Sequence, residues 1–221
     1  MEEIQKFLEK IEWLRSSHPY GGACIRIMDG KTIYVDPSQI SPEQMNYKAD
    51  IILITHSHDD HFSMKTISNL IKSDTIIISP DDVNEKLSEN DDKLNVFILK
   101  ASESKLIGDI KITAIPAYSN SAHPRSSSWI GYIIEIEGHK IYHSGDSGLI
   151  EEMKVLNDID IAFLTIRHPY MMSAKEIVEA VKIIQPKICV PIHWIEEERS
   201  EIDYIIKNCP RSTKLCILEM I

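Results

Sequence analysis

Residues 51–61 read IILITHSHDDH. The first half, Ile51 to Thr55, is an uninterrupted β-branched and aliphatic run, which suits a strand covered on both faces. The second half changes character at once into His56, His58, Asp60 and His61, an H-x-H-x-D-H pattern of nitrogen and oxygen donors. In an extended segment, side chains two positions apart point the same way, so His56 and His58 can converge on one cation. The chain must then turn for Asp60 and His61 to face a neighbouring one. A buried strand that empties into potential metal ligands is what an α/β sheet presents at its carboxyl edge.

Outward from this stretch the alternation continues. On its C-terminal side, residues 63–72 read as a helix, 75–79 as a strand, 81–88 as a short helix and 95–99 as a strand. On its N-terminal side, Ile4, Phe7, Leu8 and Ile11 recur at helical spacing, and 23–28 and 31–35 form a hairpin around Asp29-Gly30 that ends at Asp36-Pro37. From Ser104 the pattern turns to hairpins over 104–107, 109–116, 129–135 and 140–143, with Gly108 and Gly138 at the turns. Residues 150–156 then suggest a helix and 159–166 a buried strand. Residues 173–184 form a helix capped by Ser173 and Glu176 and stopped by Pro186. Residues 187–192 are strand-like, 201–207 helical, and 213–218 a closing strand. With no low-complexity linker and no fixed repeat, the expectation is one layered α/β domain over residues 1–221.

Composition narrows the function classes. The 221 residues are enough to bury a core without disulfides, and Cys24, Cys189, Cys209 and Cys216 include no C-x-x-C pair, so buried free thiols are expected. A formal charge of -10 repels phosphodiester backbones and anionic lipid faces. Nucleic acid and membrane are therefore not expected as partners. The apolar runs fall well short of the roughly 20 residues that a membrane span requires, and MEEIQKFLEK lacks a signal peptide's apolar stretch. A cytoplasmic protein acting on a small molecule is expected, with a homo-oligomer left open.

Three more potential ligands each lie just past a strand: His123 after 109–116, Asp146 after 140–143, and His193 after 187–192. Asp146 suits a bridging position, because a carboxylate has two oxygens and its charge holds two cations together.

With Asp36 in YVDP, THSHDDH at 55–61, His123 in PAYSNSAHPR, Asp146 in YHSGDSG and His193 in VPIHW, the chain resembles the metallo-β-lactamase superfamily. These motifs span residues from about 20 to 195, in the family's order. The resemblance implies a four-layer αββα sandwich with a two-metal site along one edge. It implies that His56, His58 and His123 hold one metal, Asp60, His61 and His193 the other, and that Asp146 bridges, while Asp36 orients ligands without binding metal. Within the superfamily, PAYSNSAHPR, YHSGDSG and PYMMSAKEIVEAVKIIQP look most like the small hydrolases related to ascorbate-6-phosphate lactonase. The chain departs from that branch at Arg167-His168, where glycines are common, and in the entry segment WLRSSHPYGGAC.

The expected activity is that of a dinuclear metal-dependent hydrolase attacking an ester, lactone or similar small substrate with a metal-bound hydroxide. All-N/O ligands suit zinc first, with manganese or iron also compatible. Asp60 is the candidate catalytic residue, a proton carrier for the leaving group, or else a ligand only. Alternatives are a phosphodiesterase or nuclease, and a non-catalytic metal-binding member of the fold. Arg125 could anchor an anionic substrate group, and His18, Arg167 and His168 could border the pocket. His143 reads as packed within its strand and His139 as an exposed turn residue.

Overall fold

Hydrophobic periodicity of two alternates with periodicity of 3.6 along the chain, and the elements follow it. The computed structural model describes residues 1–90, 93–120 and 122–221. Ser121 of the PAYSNSAHPR segment lies outside them. The chain divides into two compact units, Lys6–Lys100 with Leu218–Ile221, and Ala101–Ile217 with Met1–Gln5.

After a first helix, α1 (Glu2–Leu8), the first unit holds a sheet of β1 (Ile11–Trp13), β2 (Ile25–Asp29), β3 (Lys31–Val35), β4 (Ile51–Leu53), β5 (Ile76–Ser79) and β6 (Asn95–Ile98), ordered as numbered. β1 to β3 pair antiparallel, and β3 to β6 run parallel. Gly30, at φ 66°, makes the tight β2–β3 turn that Asp29-Gly30 predicts. Helices α2 (Met64–Leu70) and α3 (Asp81–Asn90) cover one face, burying Ile67, Leu70, Val83 and Leu87 against Tyr34, Ile52, Ile54 and Ile77. Ser63 caps α2 by accepting from the Thr66 amide at 3.3 Å. The alternate residues Ile33, Val35, Ile51, Leu53 and Ile78 are buried as well, so the predicted two-sided cover of the 51–55 run is observed.

β1 is a strand that the sequence reading did not contain. Ile11 fits the helical stripe of α1, yet Ile11 and Trp13 pair with Ile27 and Ile25 instead. A neighbouring strand outweighs local periodicity in so short a segment.

The second unit holds the other sheet, in the order β13-β12-β11-β10-β9-β8-β7. Its strands are β7 (Ser104–Ile107), β8 (Ile110–Pro116), β9 (Ile130–Ile136), β10 (His139–His143), β11 (Ile161–Thr165), β12 (Ile188–Ile192) and β13 (Lys214–Leu215). The predicted hairpins make β7 to β10 antiparallel, whereas β10 to β13 are parallel. Every residue of β11 and β12 is buried. Helix α4 (Ala174–Ile184) has the expected Ser173–Glu176 capping box and packs on α5 (Arg199–Asn208). Its apolar stripe buries Ile177, Val178, Val181 and Ile184.

Three expectations for this unit are corrected. Residues 150–156 form a 3-10 turn over Glu151–Val155 rather than an α-helix, with Met153 as its only buried side chain among those five. The closing strand is the two-residue β13, since only Ile188 and Cys189 offer it partners. His139 is not an exposed turn residue: its side chain is 11% exposed and lies 3.9 Å from the buried Asp160.

All four cysteines are free, Cys24 and Cys189 being buried and Cys209 and Cys216 half-buried. Burial pushes all four thiols up from their ordinary range. No helix of the described residues is long and apolar enough to cross a membrane.

Candidate metal centre

Asp36 and His56 in the first unit and Asp146 and His193 in the second follow the carboxyl ends of strands with a parallel neighbour, where loops carry functional side chains in open α/β sheets, whereas His123 follows the antiparallel β8. In the first unit, Asp36 directly follows β3 and His56 lies three residues past β4. Both Asp36 and His56 are buried, as are Asp60 and His61, while His58 is half-buried. The ring centroids of His56 and His58 are 4.8 Å apart, and those of His56 and His61 are 4.1 Å apart. His61 Nε2 lies 3.8 Å from Asp60 Oδ2. The four side chains of the H-x-H-x-D-H pattern therefore do converge.

Asp36 organises this cluster. Its Oδ1 accepts the Thr55 amide at 2.7 Å, and its Oδ2 accepts both the Thr55 hydroxyl at 2.7 Å and His61 Nδ1 at 2.8 Å. A carboxylate only accepts, so His61 carries its proton on Nδ1 and keeps a lone pair on Nε2. Thr55 Oγ1, with its proton directed to Asp36, acts as an acceptor toward His56 Nδ1 at 2.9 Å. His56 is thereby protonated on Nδ1 as well, leaving Nε2 as its lone-pair nitrogen, 3.2 Å from His58 Nδ1. One buried carboxylate thus sets the tautomers of two imidazoles, the role that the superfamily resemblance implies for Asp36. The backbone there is at φ 50°, a left-handed conformation rare for a side chain other than glycine.

The ligand loop is also held through its carbonyls. Asp59 O accepts from Ser38 Oγ at 2.5 Å and Gln39 Nε2 at 3.2 Å, and Ser57 O accepts from Lys86 Nζ at 2.9 Å. His18, offered from sequence as a residue that could border the pocket, presents Nε2 3.4 Å from the Asp59 carboxylate, beside the ligand loop.

In the second unit, His123, Asp146 and His193 are buried together. Asp146 turns one oxygen to each imidazole: Oδ2 lies 3.2 Å from His123 Nε2, and Oδ1 lies 3.8 Å from His193 Nε2. His123 also meets the Trp129 ring edge-on, with centroids 5.6 Å apart. His193, at φ 63°, occupies the left-handed region immediately after β12.

The donor set of each cluster fits a divalent cation. Each combines buried imidazole nitrogens with a carboxylate, and the Asp36 network directs the lone pairs of two of them through Nε2. Nitrogen and oxygen donors of this kind serve zinc, manganese and iron alike.

The remaining candidates have other partners. Arg125 Nη2 contacts Glu152 Oε1 at 2.7 Å, and its guanidinium lies 5.0 Å from the centroid of the Tyr118 ring, whose hydroxyl also bonds Glu152. That ion pair offsets the positive charge expected to anchor a substrate anion. Arg167 is buried and reaches Glu198 at 3.2 Å, while His168 is exposed. His143 is packed as expected, its Nδ1 accepting the Gly145 amide at 3.1 Å. The sequence reading missed Thr55 and Ser38 as supports of the ligand loop. Thr55 opens THSHDDH and Ser38 directly follows YVDP, which was the available signal.

Comparison with known proteins agrees with this geometry. The profile of the β-lactamase superfamily domain matches residues 18–193, and the chain belongs to that superfamily. Within it, the chain belongs with the UPF0173 metal-dependent hydrolases. The Thermococcus onnurineus member is 32% identical over 187 residues, covering 79% of this chain and 82% of that protein. A crystal structure from Parabacteroides distasonis, provisionally named a metal-dependent hydrolase, has a TM-score of 0.79 and 34% identity, covering 90% of each chain. Igni18, a metallo hydrolase from Ignicoccus hospitalis, shares the fold at a TM-score of 0.75 and 20% identity, over 95% of this chain and 94% of that one. The expected α/β fold of metallo-β-lactamase type is thus observed.

Proposed function

We propose that the two clusters act together as a dinuclear centre that hydrolyses an ester, lactone or similar small molecule, as the resemblance to ascorbate-6-phosphate lactonase suggests. His56, His58 and His123 hold one cation, Asp60, His61 and His193 the other, and Asp146 bridges them, with residues 1–221 working as one domain. The observation that carries this proposal is the Asp146 carboxylate, buried with a different imidazole facing each oxygen. A carboxylate flanked in this way is suited to join two cations.

Two divalent ions bound there supply an acidified water at neutral pH and polarise the oxygen of the bond to be broken. Zinc is the first choice for the donor set, and manganese or iron also suit it. Asp36 keeps the Nε2 lone pairs of His56 and His61 directed outward. Asp60, 8% exposed, carries a proton on its carboxylate from the attacking water to the leaving oxygen.

The test is a screen of metal-analysed protein against lactones, carboxylic esters, thioesters and phosphodiesters. Turnover of a lactone or ester, lost in Asp146→Ala, is the expected result. Turnover of phosphodiesters alone would replace this proposal with a phosphodiesterase.

A further inference from the structure

β11 reads IAFLT, four buried apolar residues followed by one hydroxyl, and Thr165 is wholly buried. A hydroxyl in such a place is costly unless it is bonded, and Thr165 Oγ1 donates to Gly145 O at 2.6 Å. Ser144 Oγ donates to the same carbonyl at 2.9 Å, as does the Ser147 amide at 2.9 Å. The Thr165 amide in turn donates to Ser144 Oγ at 3.0 Å. On the other side of the glycine, the Gly145 amide donates to His143 Nδ1 at 3.1 Å, with Gly145 at φ 56°.

Gly145 O and the Asp146 amide belong to one rigid peptide plane. Fixing the carbonyl therefore fixes the direction in which Asp146 leaves the backbone. His143, Ser144 and Ser147 lie on the same turn and move with it, whereas Thr165 comes from the next strand, whose five residues are all buried. We propose that the Thr165 hydroxyl is a positioning group for metal binding, locking the Gly145–Asp146 peptide so that both oxygens of Asp146 face their ligand partners. This rests on the metal role proposed above for Asp146.

The test compares wild type, Thr165→Val, Thr165→Ser and Asp146→Ala by competitive zinc titration against a chromophoric chelator, alongside thermal unfolding of the metal-stripped proteins. Valine keeps the shape and removes the donor, and serine keeps the donor. Removing an outer hydrogen-bond partner of a metal ligand typically weakens affinity about 10- to 100-fold. The expected result is a loss of that size in Thr165→Val, with Thr165→Ser within about threefold of wild type. Wild-type affinity in Thr165→Val overturns the proposal, as does a loss in Thr165→Ser equal to that in the valine variant. A purely structural role would lower the unfolding temperature of the stripped protein and leave zinc affinity unmoved. Should Thr165→Val not fold, Thr165→Ser decides: retained affinity supports the hydroxyl and lost affinity overturns it. If Asp146→Ala binds zinc as wild type does, the metal role of Asp146 fails instead. If only Asp146→Ala loses zinc, the inference about Thr165 fails alone.

Discussion

Asp36 and His61, 25 residues apart in sequence and both wholly buried, meet through an Oδ2···Nδ1 hydrogen bond of 2.8 Å. The same oxygen receives the Thr55 hydroxyl that orients His56, so one carboxylate governs two proposed ligands. Asp36→Asn replaces an acceptor with a group that can donate, which frees His61 to protonate Nε2 and lose its lone pair there. A fall in metal affinity of about 10- to 100-fold is expected. Isothermal titration of the stripped protein with zinc measures it, and unchanged affinity would remove Asp36 from the centre.

Gly131 on β9 packs against the end of β10 so closely that a Cβ would lie 2.5 Å from His143 O and 2.8 Å from Ser144 O. Both are backbone atoms and cannot rotate away. Gly131→Ala is expected to lose about 1–3 kcal/mol or more in urea unfolding, the usual scale of overpacking. It should also weaken metal binding, because Ser144 leads directly into the Asp146 turn. Gly138→Ala is the comparison: nothing lies within 4 Å of its Cβ, and φ of 77° leaves only backbone strain, about 1–2 kcal/mol. Equal stability of Gly131→Ala and wild type would mean that β9 and β10 separate more readily than their packing indicates.

Asp50, directly before β4, gives a pH-dependent prediction. Burial pushes its carboxyl up, but the Lys72 ammonium at 2.7 Å, the Thr32 amide at 2.8 Å and the nearby charge of Lys31 together hold it below the ordinary carboxylate range. A carboxyl with a depressed folded-state pKa adds stability above its unfolded value of about 3.9, and that stability is lost as pH falls through the folded value. The stability difference between wild type and Asp50→Asn should be full at pH 7 and shrink steadily below about pH 4. Urea unfolding at a series of pH values measures it, and a difference constant down to pH 2 would contradict the ion pair.

The strand-then-ligand pattern of 51–61, the Asp29-Gly30 turn and the Ser173–Glu176 cap were legible because each is set by neighbours within a few residues. So was the placement of His123, Asp146 and His193 beyond strand ends. β1 was not legible, since its pairing with Ile25 and Ile27 depends on a strand more than ten residues away. The bond from Thr165 to Gly145 spans 20 residues, and nothing local distinguishes that threonine from a strand-ending polar residue. Gly131 went unread, although a lone glycine inside a strand pattern signals close backbone approach. For Arg125 the sequence left a substrate anchor and a solvated surface residue both open, and its partner Glu152, 27 residues away, was not legible.

Metal content per chain tests the central claim most directly. Protein loaded with zinc, desalted and measured by elemental analysis is expected to hold two ions per chain, with Asp146→Ala holding no more than one. Wild type holding none, or Asp146→Ala still holding two, would contradict a pair of cations joined by that carboxylate.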